Sequence, residues 1–152
     1  MIRRTMIAAA AAVALALPGV ASAQPAGFGT AAEARAMLDK AVAAVRADKA
    51  KALESFNAGT NGFRDRDLYP FCANASDGIF TAHPTQRGKP VRDLKDSTGR
   101  AFGEDILRAG NTEGTVNEVS YSFPRPGGGD PAPKVSYVTK VGDQTCGVGY
   151  YK

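Results

Sequence analysis

Histidine is nearly absent from this 152-residue chain, which carries one, His83, and cysteine is scarce, with only Cys72 and Cys146. One histidine and no nucleophile-elbow pattern leave no serine or cysteine triad to assemble. Covalent haem attachment needs two cysteines three positions apart and a histidine, which the chain lacks, and structural zinc has too few ligands. Nor is there a dominant charge: 19 Lys and Arg stand against 15 Asp and Glu, spread along the chain rather than gathered into a nucleic-acid footprint. No apolar run reaches the roughly 20 residues of a membrane-spanning helix. These absences argue against an enzyme, and no catalytic residue, cofactor, metal or nucleic-acid partner is expected.

What is present begins with an export signal. Arg3 and Arg4 precede an apolar stretch over residues 6–17, then Pro18 and the small residues Val20, Ala21, Ser22 and Ala23. Positive, apolar and cleavable parts in that order mark a secretory signal peptide, residues 1–23, cut after Ala23. The mature product is expected to be periplasmic or secreted, with no membrane span. Removing Arg3 and Arg4 leaves 17 basic against 15 acidic residues. The even cysteine count in an exported chain favours a disulfide over two free thiols.

Residues 24–29 are polar and contain Gly and Pro, which predicts a flexible leader, and residues 30–152 form a single domain. Thr30 and Glu33 have the spacing of a capping box, so a helix is expected from there. Met37, Leu38, Ala41, Val42 and Val45 recur at three- and four-residue steps, and Leu53 and Phe56 resume the stripe. Asp48 is placed to cap a second helical segment, and Asn57 with Gly59 to reverse the chain. Strands are expected at 68–74 and 79–83, joined by a turn at Ser76, Asp77 and Gly78. A polar loop over 85–99 leads to a short amphipathic helix marked by Phe102, Ile106 and Leu107 and closed by Gly110. Strands at 115–123, 134–141 and 145–151 complete an α+β domain in which helices pack on a mostly antiparallel sheet.

Two acidic or glycine-rich stretches carry no site. Asp93, Asp96 and Gly99 lack the alternating oxygen ligands of a calcium loop, and residues 124–133 have phosphate-loop glycines without the following Lys-Ser or Lys-Thr pair or helix.

The order of motifs resembles a single Cache domain, the extracytoplasmic relative of PAS sensor modules. The resemblance rests on Leu68-Tyr69-Pro70-Phe71, Asp77-Gly78, Ala82-His83-Pro84, Gly88-Lys89, Asp93 through Asp96, and Gly99. It continues in Tyr121, Phe123 and Pro124, in Pro133 through Val138, and in Gly147 through Tyr151. It implies a five-stranded antiparallel sheet in the order 2-1-5-4-3, with a long N-terminal helix on one face and a short crossover helix shaping a pocket on the other. Cys72 and Cys146 would then lie on adjacent strands, and their bond would close a loop of about 75 residues. Such domains are usually fused to a membrane helix and an output module. Because this chain ends at Lys152, the expectation is that any response passes through a partner, such as a membrane receptor or kinase.

The same resemblance implies an exported sensor-type module for a small molecule such as an organic acid, acting in signal transduction or chemotaxis. Its alternative is a pocketless interaction module that docks onto a membrane receptor. His83 is either a donor to a bound carboxylate at the pocket rim or a strand-end ring facing solvent or a backbone carbonyl. Lys134 and Tyr137 suit an anionic ligand, or are an exposed lysine and a core tyrosine. Strand alternation sets 134 and 137 on opposite faces, so both reach one pocket only if the strand bulges or starts after Lys134. Phe71 and Tyr121 either wall the pocket or belong to the ordinary core.

Overall fold

The computed structural model describes residues 27–152, so the expected signal peptide and the first residues of the expected leader lie outside the described part. Thr30 opens the first helix, α1 (Ala31–Ala47), with the full reciprocal cap: its hydroxyl accepts from the Glu33 amide and the Glu33 carboxylate accepts from the Thr30 amide. Asp48 adopts an extended conformation that ends α1, and its carboxylate accepts from the Lys51 amide to start α2 (Lys49–Ala58). Gly59 then takes a left-handed φ of 68°, which reverses the chain. The buried stripe Ala34, Met37, Leu38, Ala41 and Val45 faces the sheet, as its 3.6-residue period requires.

Five strands follow: β1 (Pro70–Asn74), β2 (Phe80–Ala82), β3 (Asn117–Pro124), β4 (Pro131–Val141) and β5 (Gln144–Tyr151), with α3 (Phe102–Ala109) between β2 and β3. They form one sheet in the order β2-β1-β5-β4-β3, every neighbour antiparallel. Cys72 faces Cys146 across β1 and β5, and the two are bonded with Cα atoms 4.1 Å apart. The helices α1 and α2 cover the sheet face that carries the disulfide and Val148, while α3 covers the face of Phe71, Tyr121 and Val138. No helix among the described residues is long and apolar enough to cross a membrane.

Several expectations change. The first strand starts at Pro70, because Leu68 closes a turn with Asp65 instead, and the second shrinks to three residues, because Ile79 bridges to Pro90. Within the loop that joins β2 to α3, Val91–Asp93 winds into a 3-10 turn. β4 begins at Pro131, not at Lys134. Pro133 offers its carbonyl to Lys152 at the end of β5, so the missing proline N–H falls where that ladder has ended. Residues 28 and 29 have these partners: the Gly29 amide donates to Asp67, Arg66 donates to the Phe28 carbonyl, and the Phe28 ring meets Tyr151 edge-on.

Candidate functional site

On the α3 face the sheet carries a run of rings instead of the chamber expected beneath the crossover. Phe102 stacks on Tyr121 at 4.2 Å with planes 3° apart, Phe123 abuts both edge-on, and Phe71 meets Phe80. The void left among Tyr69, Phe71, His83, Phe102 and Tyr121 is about 10 Å³, room for about one water. The predicted wall residues Phe71 and Tyr121 are brought together here as a closed aromatic core.

The opening lies beside that core, across the end of the sheet. A cleft of about 500 Å³ runs from the His83–Gln86 turn, past Arg64 and Tyr69, to Phe123 and the first residues of the β3–β4 hairpin. The chain reaches it from three places. Arg64 sits in the loop between α2 and β1, the turn follows β2, and Arg125 follows β3.

His83 is buried and its Nδ1 accepts from the amides of both Thr85 and Gln86 at 3.1 Å. With Nδ1 an acceptor, the neutral ring carries its proton on Nε2 and stays a donor. Burial, with help from the nearby Lys134, Arg64 and Lys89 charges, pushes the imidazole down to about 3, so it is neutral at physiological pH. Asn57 holds the same turn in place: its side chain donates to the Thr81 carbonyl and accepts from the His83 amide.

Lys134 is also on the α3 face, but it sits behind the cleft wall. Its ammonium lies 4.7, 4.9 and 5.3 Å from the ring centres of Tyr69, Tyr151 and Phe123 and donates to the Tyr69 hydroxyl at 3.2 Å. Burial pushes its pKa down to about 8, opposed by the negative charge of Asp67. Because Lys134 donates to the Tyr69 oxygen, the phenol keeps its own proton for another acceptor, and burial drives its pKa well up. Two glycines make this packing fit. A Cβ on Gly149 would stand 2.5 Å from Lys134 Cε, and one on Gly147 would stand 2.4 Å from Phe71 Cζ.

Tyr137 is not part of this site. β4 runs from Pro131 in unbroken register, so Tyr137 points to the α1 face, where it stacks on Tyr150 and lies under Arg35. His83 and Lys134 are thus both adjacent to the Tyr69 ring, and Tyr137 is set apart by the alternation of the strand.

Three cleft residues carry no local signal in the sequence: Tyr69 stands within a strand-opening motif, and Arg64 and Arg125 stand in polar loop and turn stretches. Among the described residues, Arg64 and Arg125 form no ion pair, whereas Arg66 is held by Glu33 at 2.7 Å and Asp65 at 3.0 Å. Among the described residues no carboxylate lines the cleft, and its described charged groups are all arginines. A broader groove beside α2, lined by Ala50, Leu53 and Phe80, sets one acid, Glu54, against one base, Arg87, and has no comparable charge. Among the described residues no cluster of three or more His, Cys, Asp or Glu offers a metal site.

The sequence model of the single Cache domain 2 family matches residues 20–150. The chain belongs to that family. No curated protein matches it in sequence. Among solved structures, this Cache domain is similar to a methyl-accepting chemotaxis protein from Vibrio parahaemolyticus RIMD 2210633, with 27% identity over 79% of this chain and 86% of that one, at a TM-score of 0.62. A periplasmic sensor domain of a chemotaxis protein shares the fold at 23% identity, covering 78% of this chain and 87% of its own, with a TM-score of 0.59. A Cache chemosensory domain described for carboxylic acid recognition does so at 22% identity, 78% and 85% coverage, and a TM-score of 0.57.

Proposed function

We propose that this Cache domain is an exported sensor-type module that binds a small organic acid in the cleft and reports through a partner protein, such as a membrane receptor or kinase. The observation that carries the reading is the pair of unpaired arginines, Arg64 and Arg125, at a cleft with no acid in its lining. A carboxylate there gains charge-assisted hydrogen bonds, and the Tyr69 hydroxyl and the neutral His83 supply further donors without adding charge. A solved domain of the same fold is described as recognising carboxylic acid, which supports the same class. Export and cleavage after Ala23 belong to this proposal. Mass spectrometry of the secreted product should give a chain starting at Gln24, and a retained apolar segment would count against it.

The test of binding is thermal unfolding of residues 24–152 with a panel of small carboxylates. A ligand at 100 times its dissociation constant stabilises by about 2.7 kcal/mol. Arg64→Gln together with Arg125→Gln should abolish the shift, each protein being compared with its own unliganded melting point because Arg125 also stacks on Phe28 and Tyr151. A shift that survives in the double variant would move the site elsewhere.

The closed aromatic core favours a second reading, an interaction module that holds no ligand and docks onto a membrane receptor. If no acid shifts the melting point and the domain forms a stable complex with a receptor's extracytoplasmic part, that reading replaces the first.

A further inference from the structure

The cleft is too large and too rich in rings for a two- or three-carbon acid to fill. Its volume of about 500 Å³ lies in the range of sites that enclose drug-sized ligands, roughly 300–1,000 Å³. Six ring-bearing residues line it: Tyr69, His83, Pro84, Phe123, Pro124 and Pro126. The prolines bring no N–H donor, so flat apolar faces stand beside the polar side chains of Arg64, Arg66, Arg125, Thr85 and Gln86. Arg125 adds a further plane, since its guanidinium lies 4.8 Å over the Phe28 ring and 5.3 Å over Tyr151, which fixes its orientation. Phe123 is only half-buried, unlike the rings it packs against.

We infer that the ligand of this cleft is a planar aromatic carboxylate of the size of benzoate or hydroxybenzoate, its ring against Phe123 and Tyr69 and its carboxylate at Arg64 or Arg125. This inference rests on the organic-acid reading and narrows it. A flat ring gains from offset or edge-on contact with other rings beyond what its area supplies, and an arginine plane stacks on it as well. An aliphatic acid gains neither. A dicarboxylate would use both arginines but leave the ring-lined floor to water.

Isothermal titration of residues 24–152 with benzoate, 4-hydroxybenzoate, cyclohexanecarboxylate, propionate and glutarate tests it. The aromatic acids should bind at least about threefold more tightly than cyclohexanecarboxylate, which matches their bulk but not their flatness. They should exceed propionate by at least about tenfold, which is about 1.4 kcal/mol. Phe123→Leu should weaken benzoate by roughly threefold to tenfold and leave propionate within about twofold. Propionate, glutarate or cyclohexanecarboxylate binding as tightly as benzoate would overturn the inference and leave the organic-acid reading standing. If none of the five binds, the broader reading falls with it. The wild-type series decides the matter even if Phe123→Leu fails to fold.

Discussion

Lowering the pH from 7 to 5 adds a proton to the unfolded chain that the folded chain refuses. The group is His83, whose folded pKa is about 3 against an unperturbed value of 6.5, chiefly because the ring is buried. A base whose folded pKa is depressed contributes its full stability above the unfolded value and loses it as the pH falls toward the folded one. The window therefore runs from about 6.5 down to about 3, with a limiting slope of about 1.4 kcal/mol per pH unit. Between pH 7 and 5 the loss comes to roughly 2 kcal/mol. For a domain of this length that lowers the melting temperature by about 7 °C.

Two features make the experiment clean. His83 is the only histidine in the chain, so no other imidazole titrates in that range. The carboxylates held below their ordinary range, Glu33, Asp65, Asp96 and Asp143, have unfolded values near 4 and act mainly below pH 5. Urea unfolding at pH 7, 6 and 5 would be compared for the wild type and His83→Asn. The asparagine oxygen can accept from the Thr85 and Gln86 amides as Nδ1 does, so the turn keeps its cap. The wild type should lose roughly 2 kcal/mol over this range and the variant only a small fraction of it. Equal slopes in the two proteins would refute the claim that this ring is buried neutral.

Three further outcomes follow from the packing. Replacing both Cys72 and Cys146 by alanine should cost about 4–5 kcal/mol in a denaturant titration, since the bond closes a loop of about 75 residues; a loss below about 2 kcal/mol would mean that the unfolded chain is already compact. Gly147→Ala should destabilise by roughly 1–3 kcal/mol, because the new methyl would meet both Phe71 and the Tyr137 carbonyl, and a neutral result would show that Phe71 moves freely. Lys134, depressed to about 8 by burial, makes the wild type gain stability as the pH rises from about 8 toward 9.5, where the unfolded lysine still holds its proton and the folded one loses it. Lys134→Met should remove that gain and should not lower stability at pH 7; a large loss there would show that the ring contacts outweigh the burial cost.

The strand order was legible only through the family resemblance, and the disulfide through an even cysteine count in a chain read as exported. Alternation, turn residues and capping pairs locate the elements, and the family-like motif order fixes which strands are neighbours. The cleft was less legible. His83 and Lys134 were picked out as chemistry-bearing residues, yet nothing local shows that Lys134 lies behind the Tyr69 ring. That placement depends on Gly149 of β5, which is contributed from 15 residues away in sequence. Arg64 and Arg125 look like any solvated loop arginine until the fold sets them at one opening while Arg66, two residues from Arg64, is occupied by Glu33 and Asp65. Tyr137 was the reverse case: the side chain suited an anion, and a single step of strand parity put it on the other face.

Why the opening lies at the end of the sheet, not beneath α3, comes down to how closely that helix approaches. A Cβ on Gly103 would stand 1.8 Å from the Val91 carbonyl oxygen, so only glycine lets the first turn of α3 seat against the 3-10 turn. Seated there, α3 drives Phe102 and Ile106 onto Tyr121, Phe71 and Val138, and close packing leaves no further volume. A ligand-sized chamber beneath the crossover would need that helix lifted, and lifting it would break the Phe102–Tyr121 stack and expose apolar surface at about 25 cal/mol per Å². The end of the sheet carries no such cost. There the β3–β4 hairpin and the loop before β1 stand apart, the rings of Tyr69, His83 and Phe123 form a wall shared by core and cleft, and Arg64 meets solvent. The same aromatic packing that closes the expected chamber supplies the floor of the site that remains.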